Sequence, residues 1–261
     1  MDVRAIVLRA AGINCDLETE FALATAGAEA DRLHINRIID DPSVLSGYQI
    51  MVVPGGFSYG DDVAAGKILA NQIIHHIYGP IQRFIEAGKL VLGICNGFQV
   101  LVKAGLLPGA GFNGKGRSVT ITYNDSGRFE DRWVYLEPEM DHCVFIEAGR
   151  RIYLPIAHGE GKVVTSDKGA LDRLKTDRHI AFKYVDADGN EGPFPINPNG
   201  SVESIAGLTD ATGRILGLMP HPERHVRPTQ HPHWARLAQR GEQGDGMTIF
   251  NNAVRYVREN L

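Results

Sequence analysis

The chain has 261 residues and a formal net charge of −4, which is length enough for a large α/β core and no basic excess that would draw it to nucleic acid. Its 43% hydrophobic and 22% charged residues exclude a disordered chain, and no stretch approaches the run of about 18 apolar residues that a membrane span needs. Three cysteines without CxxC spacing (Cys15, Cys95 and Cys143) exclude a disulfide framework and a cysteine zinc site.

The first residues carry Asp2 and too short an apolar run for a signal peptide, so the expected setting is the reducing cytoplasm, where an isolated thiol stays reactive. Apolar runs at 5–8, 50–53 and 90–94 each end in a Gly- or Pro-containing turn and read as buried strands. Between them, helices are expected from Asp16, as a cap, through about residue 26, then over 66–77 and 81–87. Strands alternating with helices predict parallel pairing through right-handed crossovers, hence a doubly wound sheet.

After about Gly109 the texture changes. Runs at 117–123, 133–136, 143–146, 151–156, 162–165 and 181–185 read as short strands, with Gly, Asn and Asp turns and no long helix between them. Segments 204–208 and 215–219 return to buried-strand character, and 247–260 closes as an amphipathic helix. The expected fold is α/β, a mostly parallel twisted sheet with flanking helices and antiparallel additions, of flavodoxin-like type. No repeat or hinge-like linker divides it, so one domain is expected over residues 1–261, with a long Gly-, Pro- and Asn-rich loop at 186–200.

The most specific local pattern is Leu92-Gly93-Ile94-Cys95-Asn96-Gly97-Phe98-Gln99, a hydrophobic strand running into Gly-x-Cys-x-Gly and then into helical periodicity. This is the cysteine form of a strand–nucleophile–helix turn. Flanking glycines suit a turn too tight for Cβ atoms, and the sulfur then sits at a helix N-terminus, whose dipole favours thiolate and whose N–H groups, beginning with Asn96, can receive an oxyanion. Cys95 taken alone is equally a buried structural thiol at a strand end, whereas Cys15 and Cys143 lack this setting and read as structural.

A thiol nucleophile needs a base that is near in space. The buried run Ile215-Leu216-Gly217-Leu218-Met219-Pro220 ends at His221-Pro222-Glu223. A parallel strand ending there places His221 on the same carboxyl edge as Cys95, where open α/β sheets bind ligands, and Glu223 can reach back to fix the imidazole tautomer. The plainer alternative is a loop histidine beside a proline with a solvated glutamate. A metal site among His221, His225, His231 and His233 is disfavoured, because Pro222 and Pro232 interrupt any regular ligand face. His75 and His76 lie mid-helix.

Together these segments resemble the class I, triad-type glutamine amidotransferases. Within them they are similar to the purine-pathway branch, the glutaminase subunits of phosphoribosylformylglycinamidine synthases. The pieces that carry the resemblance run from Gly12-Ile13-Asn14-Cys15-Asp16 through Pro54-Gly55-Gly56-Phe57-Ser58-Tyr59-Gly60-Asp61 and the Cys95 turn. They continue with His158-Gly159-Glu160-Gly161, Asn197-Pro198-Asn199-Gly200-Ser201 and Met219-Pro220-His221-Pro222-Glu223-Arg224. The resemblance implies that Cys95 attacks the side-chain amide of L-glutamine, His221 shuttles the proton and Glu223 supports His221. It further implies oxyanion N–H groups from Gly56 or Phe57 and from Asn96, and substrate contacts from Gln99 and from the backbone at His158 and Gly159.

The resemblance also implies that ammonia passes to a large synthetase subunit (PurL), with a small third subunit (PurS) in some bacteria. ATP and magnesium would be used by that partner, with no cofactor in this chain, which has no nucleotide-binding motif of its own. One departure stands out: many short members carry an arginine soon after Tyr-Gly-Asp, where this chain has Ala64, and the tail from His233-Trp234 through Gly244-Asp245-Gly246-Met247 also exceeds the short form, within a segment 227–246 that could serve docking. Both bear on docking to the synthetase. Three rivals remain at this stage: another amidotransferase, a cysteine hydrolase of γ-glutamyl peptides, and a catalytically silent subunit.

Overall fold

The computed structural model describes residues 2–109, 112, 118–237 and 241–261. Strands β1 (Arg4–Arg9), β2 (Glu29–His34), β3 (Ile50–Val53) and β4 (Leu90–Ile94) alternate with helices α1 (Asp16–Thr25), α2 (Ile35–Asp40), α3 (Lys67–Gln72) and α4 (Tyr78–Glu86). Helix α5 (Asn96–Ala104) follows β4. The later strands are β5 (Val119–Tyr123), β6 (Glu130–Pro138), β7 (Ile152–His158), β8 (Glu160–Thr165), β9 (Ile180–Val185), β10 (Ile205–Thr209) and β11 (Ile215–Leu218). Among them lies α6 (Lys168–Thr176), and α7 (Met247–Asn260) closes the chain.

Every position of β3, β4 and β11 is buried, the pattern of strands covered on both faces. Nine strands form one sheet in the order β2-β1-β3-β4-β11-β10-β9-β6-β7, while β5 and β8 pair separately. From β2 to β11 the neighbours run parallel; from β11 to β7 they run antiparallel. This is the α/β sheet with antiparallel additions that the sequence leads one to expect. β11 lies beside β4 in parallel with Leu218 opposite Ile94, so the residues after each emerge on one edge. Helix α5 is buried along its whole length, and each fully buried Phe98 or Leu101 side chain contributes about 1.5–3 kcal/mol.

Several local features differ from the expectations or lie outside them. The run 143–146 is not a strand: Val144 N–H bonds Gly213 O at 2.9 Å and Asn252 Nδ2 bonds Phe145 O at 3.1 Å, so its apolar character reflects burial in a turn. The edge strand β2 has no apolar alternation, since Arg4 and Tyr48 hold its Asp31 while its Arg32 pairs with Asp16 and Glu20. Helix α6 does intervene between late strands, capped by Asp167, whose side chain accepts from Ala170 N. Asp16 is the first residue of α1 rather than its cap, and its carboxylate takes Arg9 at 2.8 Å and Arg32 at 3.1 Å. The expected helix over 66–77 is α3 followed by one π-helical turn over Ile73–Ile77. Arg117, which opened an expected strand, lies outside the described residues.

Candidate active site

Between β4 and α5, Cys95 adopts φ 51° and ψ −107°, a left-handed backbone that costs a non-glycine residue of order 1–3 kcal/mol. Packing enforces it. The Cys95 N–H bonds Leu218 O at 2.8 Å, tying the turn to β11, and a Cβ on Gly97 would lie 1.8 Å from Val53 O. The tight turn therefore needs glycine at 97 because α5 crosses directly over β3. It leaves the first N–H groups of α5 without partners inside the helix. The Cys95 thiol points at Ala157 O, 3.8 Å away at the end of β7.

The other strand end carries His221 and Glu223. Beyond β11, His221 N–H bonds Pro155 O at 2.8 Å, and its Nδ1 lies 2.6 Å from Glu223 Oε1. Both side chains are fully enclosed. Nε2 of His221 and Oε2 of Glu223 are buried without hydrogen-bond partners among the described residues. Burial acts to lower the His221 pKa, but the Glu223 carboxylate and then the Cys95 sulfur outweigh it and hold the pKa well above the ordinary value. The pairing with Glu223 is thus built to favour imidazolium. Gly55 packs against this ring, where a Cβ would lie 2.8 Å from His221 Cε1.

A cavity of about 190 Å³ opens beside the sulfur, lined by Cys95, Gly56, Phe57, Gln99, His158 and Gly159, with Asp61 and Glu160 also in its wall. Within it the expected residues have unequal freedom. Phe57 N–H is already given to Gly12 O at 2.9 Å, while the Gly56 N–H, at φ 136°, meets no acceptor among the described residues. Asn96 keeps its backbone N–H at the start of α5 and uses its side chain inside the wall: Oδ1 accepts from Ser58 Oγ at 2.6 Å, and Nδ2 donates to Asp61 and Gln99. The Gln99 amide is tied to the wall likewise, with Nε2 donating to Glu160 O. His158 is buried, its Nδ1 lies 3.1 Å from Asn124 Oδ1, and burial pushes its pKa down to about 3, with His221 acting the same way. It is a neutral wall residue, and its backbone faces the cavity beside Gly159.

Several participants carry no sequence signal of their own. Cys15, expected to be structural, lies 4.0 Å from His221 Nδ1 and accepts from Arg224 Nη2 at 3.1 Å. Burial raises its pKa, so it is held as a thiol. Asn124 fastens three points of the β7–β8 turn, through His158, Gly159 and Gly161. The motif pieces contained Cys15, but only the fold brings it to the histidine. Cys143, in contrast, is remote packing, with its thiol pushed up to about 12 by burial.

Among the described residues one group of three has metal-ligand spacing: Cys15, His221 and Glu223 place a ligand atom each within 4.8 Å of one another. The Arg224 guanidinium on the Cys15 sulfur and the bond already closed between His221 and Glu223 disfavour a cation there. His225 and His231 instead pack against Trp133, His231 also against Tyr153, and His233 against His231.

Against known proteins, a family model for the CobB/CobQ-like glutamine amidotransferase domain matches residues 2–257. The chain is 47% identical over 259 residues to the phosphoribosylformylglycinamidine synthase subunit PurQ of Dehalococcoides mccartyi, covering 98% of each chain. It is 38% identical over 273 residues to the subunit of that name from Archaeoglobus fulgidus, covering 99% of this chain and 98% of the other. In a PurLQS structure from Thermotoga maritima one chain superposes with a TM-score of 0.73 at 33% identity, over 98% of this chain and 100% of that one. A glutamine amidotransferase structure from the same organism shares the fold, at 18% identity and a TM-score of 0.54 over 99% of this chain and 93% of that one. The strained cysteine turn, the enclosed histidine–glutamate pair and the match over nearly the whole length agree: this chain belongs to the CobB/CobQ-like glutamine amidotransferase family.

Proposed function

We propose that this chain is the glutaminase subunit of a phosphoribosylformylglycinamidine synthase, hydrolysing L-glutamine and delivering the ammonia to a synthetase subunit of the PurL kind. The observation that carries the reading is Cys95, held in a strained turn at one strand end beside the enclosed His221–Glu223 pair at the next, in a chain that aligns along its length with PurQ subunits.

In this reading the Cys95 thiolate attacks the glutamine carboxamide carbon. The oxyanion is received by the N–H of Asn96 and, across from it, by the Gly56–Phe57 turn, where Gly56 has the freer N–H. The carbon–nitrogen bond then breaks as His221, protonated, gives its proton to the leaving ammonia. Water hydrolyses the γ-glutamyl thioester with His221 as base, releasing glutamate and regenerating the thiol. Glu223 orients the ring and stabilises its charged form. Gln99 supports the substrate by fixing the wall at Glu160, and the backbone of His158 and Gly159 receives the amino-acid end of glutamine.

The chain's own chemistry then needs no cofactor. ATP and magnesium act on the synthetase, where formylglycinamide ribonucleotide is activated and aminated to formylglycinamidine ribonucleotide; a small PurS-type subunit would complete some such complexes. Among the described residues no helix is long and apolar enough to cross a membrane, and we place the complex in the cytoplasm. The test is Cys95→Ala in complex with the synthetase. Glutamine-dependent synthesis should disappear while added ammonia still supports it; loss of both would make Cys95 structural and sink the reading.

A further inference from the structure

The cavity beside Cys95 must tell glutamine from other primary amides, and the feature that distinguishes glutamine at its far end is an ammonium beside a carboxylate. Gln99, which the family resemblance assigns to holding substrate, has its amide tied to the wall: Oε1 accepts from Asn96 Nδ2 at 3.1 Å and Nε2 donates to Glu160 O. One lone pair of Oε1 remains, and a neutral amide oxygen answers an ammonium more weakly than a carboxylate does.

Asp61 is differently placed. It lines the same cavity as Cys95, Gln99, His158 and Gly159. One oxygen, Oδ1, accepts both from Gly66 N at 3.1 Å and from Asn96 Nδ2 at 3.1 Å, and so fixes the carboxylate to the wall. The other, Oδ2, receives no hydrogen bond from any described residue. The backbone beneath it is left-handed for three residues running, with φ 55° at Tyr59, 72° at Gly60 and 53° at Asp61, and Tyr59 and Asp61 are not glycines. A half-buried carboxylate that is rigidly held by one oxygen and open at the other is a preformed site for a cation. Burial holds its pKa above the ordinary carboxylate range, although the bonds from Gly66 and Asn96 and the Lys103 ammonium act the other way. Glu160 shares the cavity wall, but the contact it makes there is through its backbone carbonyl to Gln99.

We propose that Asp61 is a specificity residue, the counter-ion for the α-ammonium of the substrate, with Oδ1 anchored to Asn96 and Oδ2 turned to the ligand. This rests on the glutaminase reading and deepens it: the backbone at His158 and Gly159 then serves the α-carboxylate, and Asp61 the charge of opposite sign. A substrate without the ammonium leaves Oδ2 unpaired, and a site built around a polar group rejects the analogue lacking it.

The test compares glutamine with glutaramate, the same amide acid without its α-amino group, by ammonia release from the full chain assembled with its synthetase. If the unaltered complex releases no ammonia from glutamine, the glutaminase reading itself fails. If it does, kcat/KM should favour glutamine strongly, and Asp61→Asn, which keeps the Oδ1 bonds, should shrink that preference about 10- to 100-fold, mainly through KM for glutamine. Asp61→Asn losing both substrates equally, or Glu160→Gln shrinking the preference instead, overturns the assignment. Should Asp61→Asn turn over neither substrate, the same ratio is read as binding on a Cys95→Ala background, from the melting shift each ligand produces. An unchanged binding ratio there also overturns it.

Discussion

The turn after β11 and the turn joining β7 to β8 each bury a histidine near the same sulfur, His221 at 2% exposure and His158 at 3%, and the protein holds the two rings in opposite protonation regimes. Burial opposes the charged form in both. At His158 the partner is the neutral Asn124 amide, and the pKa falls to about 3. At His221 the partner is a carboxylate 2.6 Å away, with a thiol beyond the ring, and the pKa rises. Equal burial thus gives unequal chemistry: an oxygen faces Nδ1 in both, and whether that oxygen belongs to a neutral amide or to a carboxylate decides which ring is held ready to carry a proton.

The strongest way to break this comparison is to remove the ring that carries the proton. His221→Ala should cut glutamine turnover by about 10²- to 10⁴-fold in a glutamate-release assay, and a loss below tenfold would mean another group does the proton transfer. Glu223→Gln should cost less, about 10- to 100-fold, while lowering the His221 pKa. Steps that need imidazolium then fail at lower pH, so the alkaline limb of the kcat profile should move down. A loss matching that of His221→Ala, with an unmoved profile, would give Glu223 a role beyond orienting and charging the ring.

Stability sharpens the comparison through opposite signs. The His158 pKa is depressed in the fold, so its neutral ring contributes fully above about pH 6.5, the unfolded value, and that contribution drains away as pH falls toward about 3, at roughly 1.4 kcal/mol per pH unit. Denaturant melts of His158→Asn should show a shallower fall in stability between pH 6.5 and 5 than the parent; an identical slope would place the acid lability elsewhere. The His221 pKa is raised, so its contribution is complete below the unfolded value and is lost as pH climbs through the folded one. His221→Asn should therefore flatten the alkaline side instead.

The smallest effect is expected at Cys15, whose hydrogen bond to His221 adds less to the raised pKa than Glu223 and Cys95 do. Cys15→Ala should lower the kinetic pKa slightly and slow turnover only a few-fold. A change as large as that of Glu223→Gln would make the thiol a partner of equal rank.

The parallel half of the fold was legible because its signal is local. Strands β3 and β4 are short apolar runs that lead into Gly- or Pro-containing turns, and Cys95 announces its turn by the glycines on either side. His221 was legible only through a tertiary inference, that β11 runs parallel beside β4, which the register bears out. What escaped was set by non-local contact. Strand β2 is polar because its charges are answered by α1, by Arg4 and by Tyr48, and Cys15 reaches His221 only after α1 has docked beside the turn that carries Arg224. The same holds for Gln99: the family resemblance implied a substrate contact, but how its amide is held depends on Asn96 and Glu160, which no periodicity reveals.

The contact between Gly97 and the carbonyl of Val53 has an evolutionary consequence. Every replacement of glycine adds at least one carbon, and at 97 that carbon would fall inside a backbone oxygen of the neighbouring strand. The position therefore has no conservative substitute and no stepping-stone: a lineage cannot drift through a slightly worse residue there and recover by later compensation. Descendants of this chain are free to explore new partners and surfaces only in places where a side chain has room to arrive.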